Sequence, residues 1–211
     1  MNNCVTLDQL VLSLLTQGEL KKPLVVGVSG IDGSGKGFIG EKLKRALTAR
    51  GVNTYLIGID GWLSDIDPRS GTESPAKIFY EQGVRLSAFV EEILTPLKMQ
   101  GYLDVVVQQT TPSSDETRFD RRFCLEHPDV VIIEGIFLFQ PTIELDYRVW
   151  IDCSFETALD RALSRNQEGL TEEALLTDYR QIYFPAQKHH FEVDQPKLRA
   201  DVILNNDPAL Q

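Results

Sequence analysis

The sequence has few cysteines, no long hydrophobic run and no cluster of basic residues. Its three cysteines, Cys4, Cys124 and Cys153, are far apart and form no C-x-x-C pair. We therefore expect neither a disulfide framework nor a zinc site. No apolar stretch approaches the roughly 20 residues of a membrane-spanning helix. The net charge of −10, from 31 acidic and 21 basic residues, disfavours binding to nucleic acids or anionic membranes. We therefore expect a cytoplasmic protein without either partner.

A length of 211 residues with 42% hydrophobic residues predicts a single domain over residues 1–211. Apolar residues at helical spacing after Thr6 predict an amphipathic helix within residues 1–20. Short apolar runs that predict strands alternate with stretches that predict helices, so we expect a three-layer α/β/α fold around a five-stranded parallel sheet. The predicted strands are Leu24–Ser29, Thr54–Ile59, Val130–Glu134, Tyr147–Asp152 and Asp201–Leu204, and the predicted helices are Gly37–Arg50, Arg85–Lys98, Ser154–Asn166 and Thr171–Tyr183. A further apolar run, Leu103–Gln109, is left open as a hairpin or an edge strand over the site.

A glycine-rich loop follows the first predicted strand. Gly30, Gly35 and Lys36 fill the G-x-x-x-x-G-K positions of a phosphate loop, in which backbone N–H groups wrap the phosphates and the lysine reaches the outer ones. The helix predicted after the loop would add the positive end of its dipole. An incidental lysine in a strand-to-helix turn is the less favoured alternative. The predicted nucleotide-binding residues are Gly30, Asp32, Gly33, Ser34, Gly35, Lys36, Gly37 and Phe38.

Gly37 stands where this motif has a serine or threonine, whose hydroxyl binds Mg²⁺ beside the phosphates. Two hypotheses follow from this substitution. We favour a kinase that uses ATP and Mg²⁺ with reduced turnover, and the alternative is a nucleotide-binding protein that has lost catalysis. A GTPase-like switch fits less well, because the sequence contains no Asn-Lys-x-Asp element.

Two carboxylates come at the ends of predicted strands, where ligands of open parallel sheets gather. Asp60 is the candidate general base for an acceptor hydroxyl, and a turn-capping aspartate before Gly61 is the alternative. Glu134 is the candidate Mg²⁺ ligand, directly or through water. Arg161 and Arg165 share one helix face and are candidates for stabilising the transferred phosphoryl group, with ordinary surface pairing nearly as favoured.

These motifs resemble the uridine kinase and phosphoribulokinase family of P-loop kinases, which includes bacterial pantothenate kinase, over Leu24 to Asn206. The resemblance rests on the loop from Gly27 to Lys36, on Ile59-Asp60-Gly61-Trp62-Leu63, on Val131-Ile132-Ile133-Glu134-Gly135-Ile136-Phe137-Leu138, and on the segments Tyr183–Ala186 and Arg199–Leu204. It implies ATP and Mg²⁺ as cofactors, Asp60 as catalytic base, Glu134 at the metal, and a lid with C-terminal helices over about 155–192 that carries Arg161 and Arg165.

The acceptor side resembles the family less. Residues 108–111 read Gln-Gln-Thr-Thr where uridine kinases have a Tyr-Asp and His pattern that holds the nucleoside. Phe79 and Tyr80 resemble a substrate-side aromatic pair of related bacterial proteins, and Arg118 and Arg122 are candidate contacts for an anionic acceptor. We expect a small-molecule hydroxyl compound, nucleoside-like or pantothenate-like, as the acceptor. Its identity and the formation of a homo-oligomer stay open.

Overall fold

The centre of the fold is a parallel sheet. A computed structural model describes residues 3–17, 23–110, 118–165 and 169–208. Its strands are β1 (Asn3–Cys4), β2 (Leu24–Gly30), β3 (Thr54–Gly58), β4 (Leu103–Gln109), β5 (Phe119–Leu125), β6 (Val130–Gly135), β7 (Tyr147–Asp152) and β8 (Val202–Asn205). Six of them form a sheet in the order β1-β8-β7-β2-β6-β3, with every pairing parallel. The five predicted strands are confirmed, and the two-residue β1 adds a short edge that the sequence did not predict.

Helices cover both faces of this sheet. They are α1 (Leu7–Leu15), α2 (Lys36–Thr48), α3 (Pro75–Gln82), α4 (Leu86–Phe89), α5 (Thr95–Gln100), α6 (Phe155–Arg165), α7 (Glu172–Asp178), α8 (Phe184–Asp194) and α9 (Pro196–Arg199). Short 3₁₀ turns lie at Ile59–Trp62 and Pro68–Ser70. The first helix begins at the predicted N-cap, because the Thr6 hydroxyl accepts from the Gln9 N–H while the Gln9 side chain accepts from the Thr6 N–H.

Two of the helices widen into π-helical turns, for a reason that is visible in the sequence. The turn Val90–Leu94 joins α4 to α5, and Tyr179–Tyr183 joins α7 to α8. Each is followed within two residues by a proline, Pro96 or Pro185. Proline has no N–H and its ring collides with the carbonyl four residues earlier, and a wider turn accommodates both effects without ending the helix. The last predicted helix therefore continues past Tyr183 to Asp194.

The sheet separates two hydrophobic cores. Leu43 and Leu47 of α2 pack with Val26 and Val28 on one face, and α1 adds Leu10 to this layer. On the other face the largest buried side chains include Trp62, Phe89, Phe137 and Trp150. All seven residues of β2 are buried, which explains why this strand is a continuous apolar and small-residue run rather than an alternating one.

The apolar run left open in the sequence is one strand of a hairpin. β4 pairs with β5 in antiparallel fashion, from Leu103 opposite Leu125 to Gln109 opposite Phe119. The hairpin is fastened to the turn after β3, because the Thr110 N–H donates to the Gly61 carbonyl at 2.9 Å. It therefore lies beside Asp60, at the edge of the sheet where the candidate site is located. None of the described helices is long and apolar enough to cross a bilayer.

Candidate active site

The predicted phosphate loop joins the central strand β2 to α2. Gly33 and Gly35 have φ angles of +77° and +85°, which favour glycine, and α2 begins at Lys36 directly after them. The loop also packs tightly, since a Cβ at Gly33 would lie 2.3 Å from the Ala158 carbonyl oxygen. The first turn of α2 then offers its unpaired N–H groups to an anion at the end of the strand. The Phe38 ring lies outside this loop and is 61% exposed beneath Lys42.

Lys36 is held next to a carboxylate within its own loop. It is 8% exposed, and its Nζ lies 3.7 Å from Oδ1 of Asp32. Burial opposes ionisation of Asp32, but Lys36, the Tyr179 hydroxyl that donates to it, and Arg165 at 3.9 Å together lower its pKa. Sequence reasoning missed Tyr179 because this tyrosine belongs to no local motif and lies far along the chain.

Arg161 and Arg165 both come to the phosphate loop. The Arg161 guanidinium donates to the carbonyl oxygens of Asn206 at 2.8 Å and Ser34 at 3.3 Å, and the Asn206 side chain donates to the same Ser34 oxygen at 2.7 Å. Arg161 thus supports the backbone of the loop from behind, while Arg165 faces Asp32. A direct action of either arginine on a transferred phosphoryl group stays a prediction.

Glu134 is the penultimate residue of β6, where it pairs with Val28 of β2 on one side and with Gly58, the last residue of β3, on the other. Burial raises the pKa of its carboxyl to about 7; Lys36 opposes this shift, and the charges of Asp60 and Asp32 add to it. A Cβ at Gly58 would lie only 2.6 Å from Glu134 Oε1, so this glycine leaves the room that the carboxylate occupies.

Gly37, which lacks the hydroxyl expected in the motif, lies next to the Glu134 carboxylate. A Cβ built at Gly37 would lie 3.7 Å from Glu134 Oε2, which is ordinary van der Waals contact. The described residues hold no group of three or more His, Cys, Asp or Glu side chains that could hold a metal by itself. Mg²⁺ is commonly held by one or two carboxylates together with substrate phosphates and water, and Glu134 beside the phosphate loop fits that arrangement.

Asp60 lies in the 3₁₀ turn directly after β3, at the same edge of the sheet as the phosphate loop and Glu134. Its side chain is exposed, and its charge reaches Glu134 strongly enough to raise the pKa of that carboxyl. Trp62 of the same turn is fully buried, and its indole N–H donates to Glu92 at 2.7 Å. A buried tryptophan thus anchors the turn, while Asp60 stays accessible to an acceptor.

The predicted aromatic pair on the acceptor side belongs to a cluster around the end of β6. Phe79 contacts Phe137 and Tyr183, with ring centroids 6.0 and 5.0 Å away. The Tyr80 hydroxyl donates to Asp194 of α8, and burial raises the pKa of this phenol further above its usual range. Both residues therefore connect α3 to the C-terminal helices, and a contact with substrate stays a prediction.

The two predicted arginines of the hairpin occupy different places. Arg118 donates to Asp65 at 2.7 Å, near the turn that holds Asp60. Arg122 donates to both oxygens of Asp104, at 2.7 and 2.8 Å, on the exposed face of the hairpin. Because that face is turned away from the Asp60 turn, the structure does not bring Arg122 to the site.

Comparison with known proteins agrees with this geometry. No protein-family model matches the sequence. A uridine kinase of Limosilactobacillus reuteri is 26% identical over 190 residues, which cover 87% of this chain and 84% of the relative. A uridine kinase of Macrococcus caseolyticus is 27% identical over 191 residues, which cover 88% and 89%.

Solved structures show the same fold at lower identity. A protein described as a possible uridine kinase from Bacillus stearothermophilus superposes with a TM-score of 0.74 at 19% identity, covering 94% of this chain and 96% of that one. A D-glycerate 3-kinase from Cryptococcus neoformans superposes with a TM-score of 0.59 at 15% identity, covering 95% of each chain. With sequence relatives named uridine kinase over most of its length and a phosphate loop in the fold of P-loop kinases, the chain is a kinase that is similar to the uridine kinases.

Proposed function

We propose that this kinase transfers the γ-phosphate of ATP to a hydroxyl group of a small metabolite, nucleoside-like or pantothenate-like. The observation that carries the proposal is the convergence of Lys36, Glu134 and Asp60 at one edge of the sheet, at the ends of adjacent elements. Phosphoryl transfer needs a phosphate cradle, charge neutralisation and an oriented nucleophile, and each residue supplies one of these.

The proposed roles follow from position and charge. The N–H groups of the first turn of α2 and the Lys36 ammonium bind the outer phosphates of ATP. Asp60, exposed beside them, holds the acceptor hydroxyl and accepts its proton. Glu134 would hold Mg²⁺ with the phosphates and water, and when bound the metal neutralises charge on the phosphate oxygens. Arg165 lies close enough to the loop to approach the same oxygens.

An ADP-release assay over a broad panel of hydroxyl compounds, including nucleosides, polyols and hydroxy acids, tests the proposal. The wild type should release ADP with at least one acceptor, and Asp60→Asn should lower kcat by roughly 10²- to 10⁴-fold, because it removes the base but keeps its shape. ATP affinity should stay unchanged in this variant, whereas Lys36→Ala should weaken it. Full activity of Asp60→Asn would overturn the assigned base.

Gly37 supports a second candidate, a nucleotide-binding protein that has lost catalysis. A Cβ at Gly37 would be in ordinary van der Waals contact with Glu134, at the position where the motif carries its metal-binding hydroxyl. ATP binding measured with and without Mg²⁺ distinguishes the two candidates. ATP binding that is equally tight with and without Mg²⁺, together with no ADP release in the presence of any compound of the panel, would favour the second candidate.

A further inference from the structure

The register of the hairpin places two neighbouring arginines on opposite faces. Arg121 is paired with Val107 and Arg122 with Val106. Successive residues of a strand alternate between faces, so Arg121 shares a face with Gln109 while Arg122 shares one with Asp104. The contacts agree, because the Arg121 Nη1 donates to Gln109 Oε1 at 3.3 Å.

Two paths of contact fix Arg121 relative to Asp60. The guanidinium lies 4.9 Å from the centroid of the Phe123 ring, and this ring stacks on Trp62 at 5.9 Å with an angle of 28°. The second path runs through Gln109, which accepts the hydrogen bond from Arg121. The Gln109 amide packs against Gly61, since a Cβ at Gly61 would lie 2.2 Å from Gln109 Nε2. Gly61 and Trp62 are the residues that follow Asp60, so both paths lead back to the turn that carries the candidate base.

Several hydrogen-bond donors near the Asp60 turn lack a partner among the described residues. Gln109 is 2% exposed, and its Nε2 has no hydrogen-bond partner among the described residues, as is also true of the buried Thr110 hydroxyl. Within the described part of the chain Arg121 has no carboxylate within 4.0 Å, unlike Arg118 and Arg122, which both pair with aspartates. A buried unpaired amide is costly, and a guanidinium beside it has only donors to offer. This combination suits a ligand that carries acceptor oxygens and negative charge.

We propose that Arg121 and the Gln109 amide bind a carboxylate or phosphate group of the acceptor, so that the substrate is a hydroxylated anion rather than a neutral nucleoside. The inference rests on the proposed function and specifies its acceptor. Asp60 then meets the hydroxyl that is phosphorylated, while Arg121 holds the anionic end of the same molecule. The contact that the sequence assigned to Arg122 thereby moves to its neighbour in the chain.

The first experiment detects anion binding without turnover. Full-length protein saturated with MgADP, which occupies the phosphate loop, is titrated with inorganic phosphate or with acetate while the side-chain N–H signals of Arg121 and Gln109 are followed by NMR. We expect saturable shifts of both signals, and the stronger of the two anions shows which group the site prefers. Arg121→Gln should remove the shift of the Gln109 signal, and Arg122→Gln should keep it. Signals that respond to neither anion, or respond equally in both variants, would overturn the site.

The second experiment measures ADP release with anionic and neutral acceptors. Glycerate and glycerol 3-phosphate are compared with glycerol, and uridine represents a neutral nucleoside. We expect ADP release with an anionic compound, and a KM for it that rises roughly ten- to a hundredfold in Arg121→Gln with an unchanged KM for ATP. Arg122→Gln serves as the matched control, because it removes the same charge from the other face.

The outcomes separate this inference from the proposed function. If a neutral acceptor is phosphorylated at the same rate by the wild type and by Arg121→Gln, the anion site is refuted and the kinase assignment stays intact. A protein that binds ATP but releases ADP with no compound in any panel would refute the proposed function, and the NMR titration would then decide the anion site by itself.

Discussion

Restoring the missing hydroxyl of the phosphate loop should increase activity. In Gly37→Ser the new Cβ would lie 3.7 Å from Oε2 of Glu134 and 3.8 Å from Oε1, so the side chain fits without displacing its neighbour. Its hydroxyl would project from the first turn of α2 toward the carboxylate that we assign to Mg²⁺. The backbone at this position is helical, and serine is a better helix former than glycine, so the fold should be retained.

The expected gain follows from the value of one metal or transition-state contact. Removing a single donor of this kind costs about 2.7–4 kcal/mol in well-studied enzymes, and a contact that water partly replaces is worth less. We therefore expect kcat to rise roughly tenfold to a thousandfold in Gly37→Ser, which corresponds to about 1.4–4 kcal/mol in the activation free energy. Less Mg²⁺ should be needed for half-maximal activity.

Gly37→Ala is the matched control for this experiment. It fills the same space and gains a similar helix propensity, but it adds no oxygen. The assay is steady-state ADP release as a function of Mg²⁺ concentration, together with ATP binding by calorimetry with and without the metal. Equal activity of the serine and alanine variants, or a loss of activity in both, would refute the assignment of this space to a metal-binding hydroxyl.

Three further predictions concern the surroundings of the loop. Gly58→Ala should push the carboxylate of Glu134 aside, since the Cβ would lie 2.6 Å from Oε1, and a shift of the Mg²⁺ dependence to higher concentration at a nearly unchanged melting temperature would show this; an unaltered Mg²⁺ dependence would contradict it. The pKa of Glu134 is raised from 4.5 to about 7, so its contribution to stability is present at low pH and is lost as the pH rises through 7. Relative to Glu134→Gln, the metal-free wild type should therefore lose roughly 1–3 kcal/mol of unfolding free energy between pH 4.5 and pH 8 in chemical denaturation, and parallel pH profiles would count against it. Arg161→Ala should cost about 1–3 kcal/mol and weaken ATP binding, because it removes the bonds to Ser34 and Asn206. A lower kcat with unchanged stability and ATP affinity would instead assign this arginine to the transferred group.

The predicted strands and the phosphate loop are correct because their signals are local. A buried parallel strand must be apolar along its whole length, and β2 satisfies this before the loop begins. The left-handed turns at Gly33 and Gly35 likewise depend on the residues themselves. The two-residue β1 escaped prediction because it consists of edge pairing with β8 and has no periodic pattern of its own.

The acceptor side could not be predicted in the same way. Choosing between Arg121 and Arg122 requires the register of the hairpin, since a shift of one residue exchanges the faces. The contact of Asp32 with Tyr179 joins residues that are far apart in the chain, and it exists only because α7 and α8 pack against the phosphate loop.

By itself the sequence determined a parallel α/β fold, a phosphate cradle and the identities of Asp60 and Glu134 as strand-end carboxylates, because backbone conformation and strand burial are encoded within a few neighbouring residues. Tertiary structure alone decided which side chains meet at the cradle: it set Glu134 opposite Gly37, placed Arg161 behind the loop and turned Arg121 toward the Asp60 turn. These side-chain contacts depend on strand register and helix packing, which are set by the whole core rather than by any one segment.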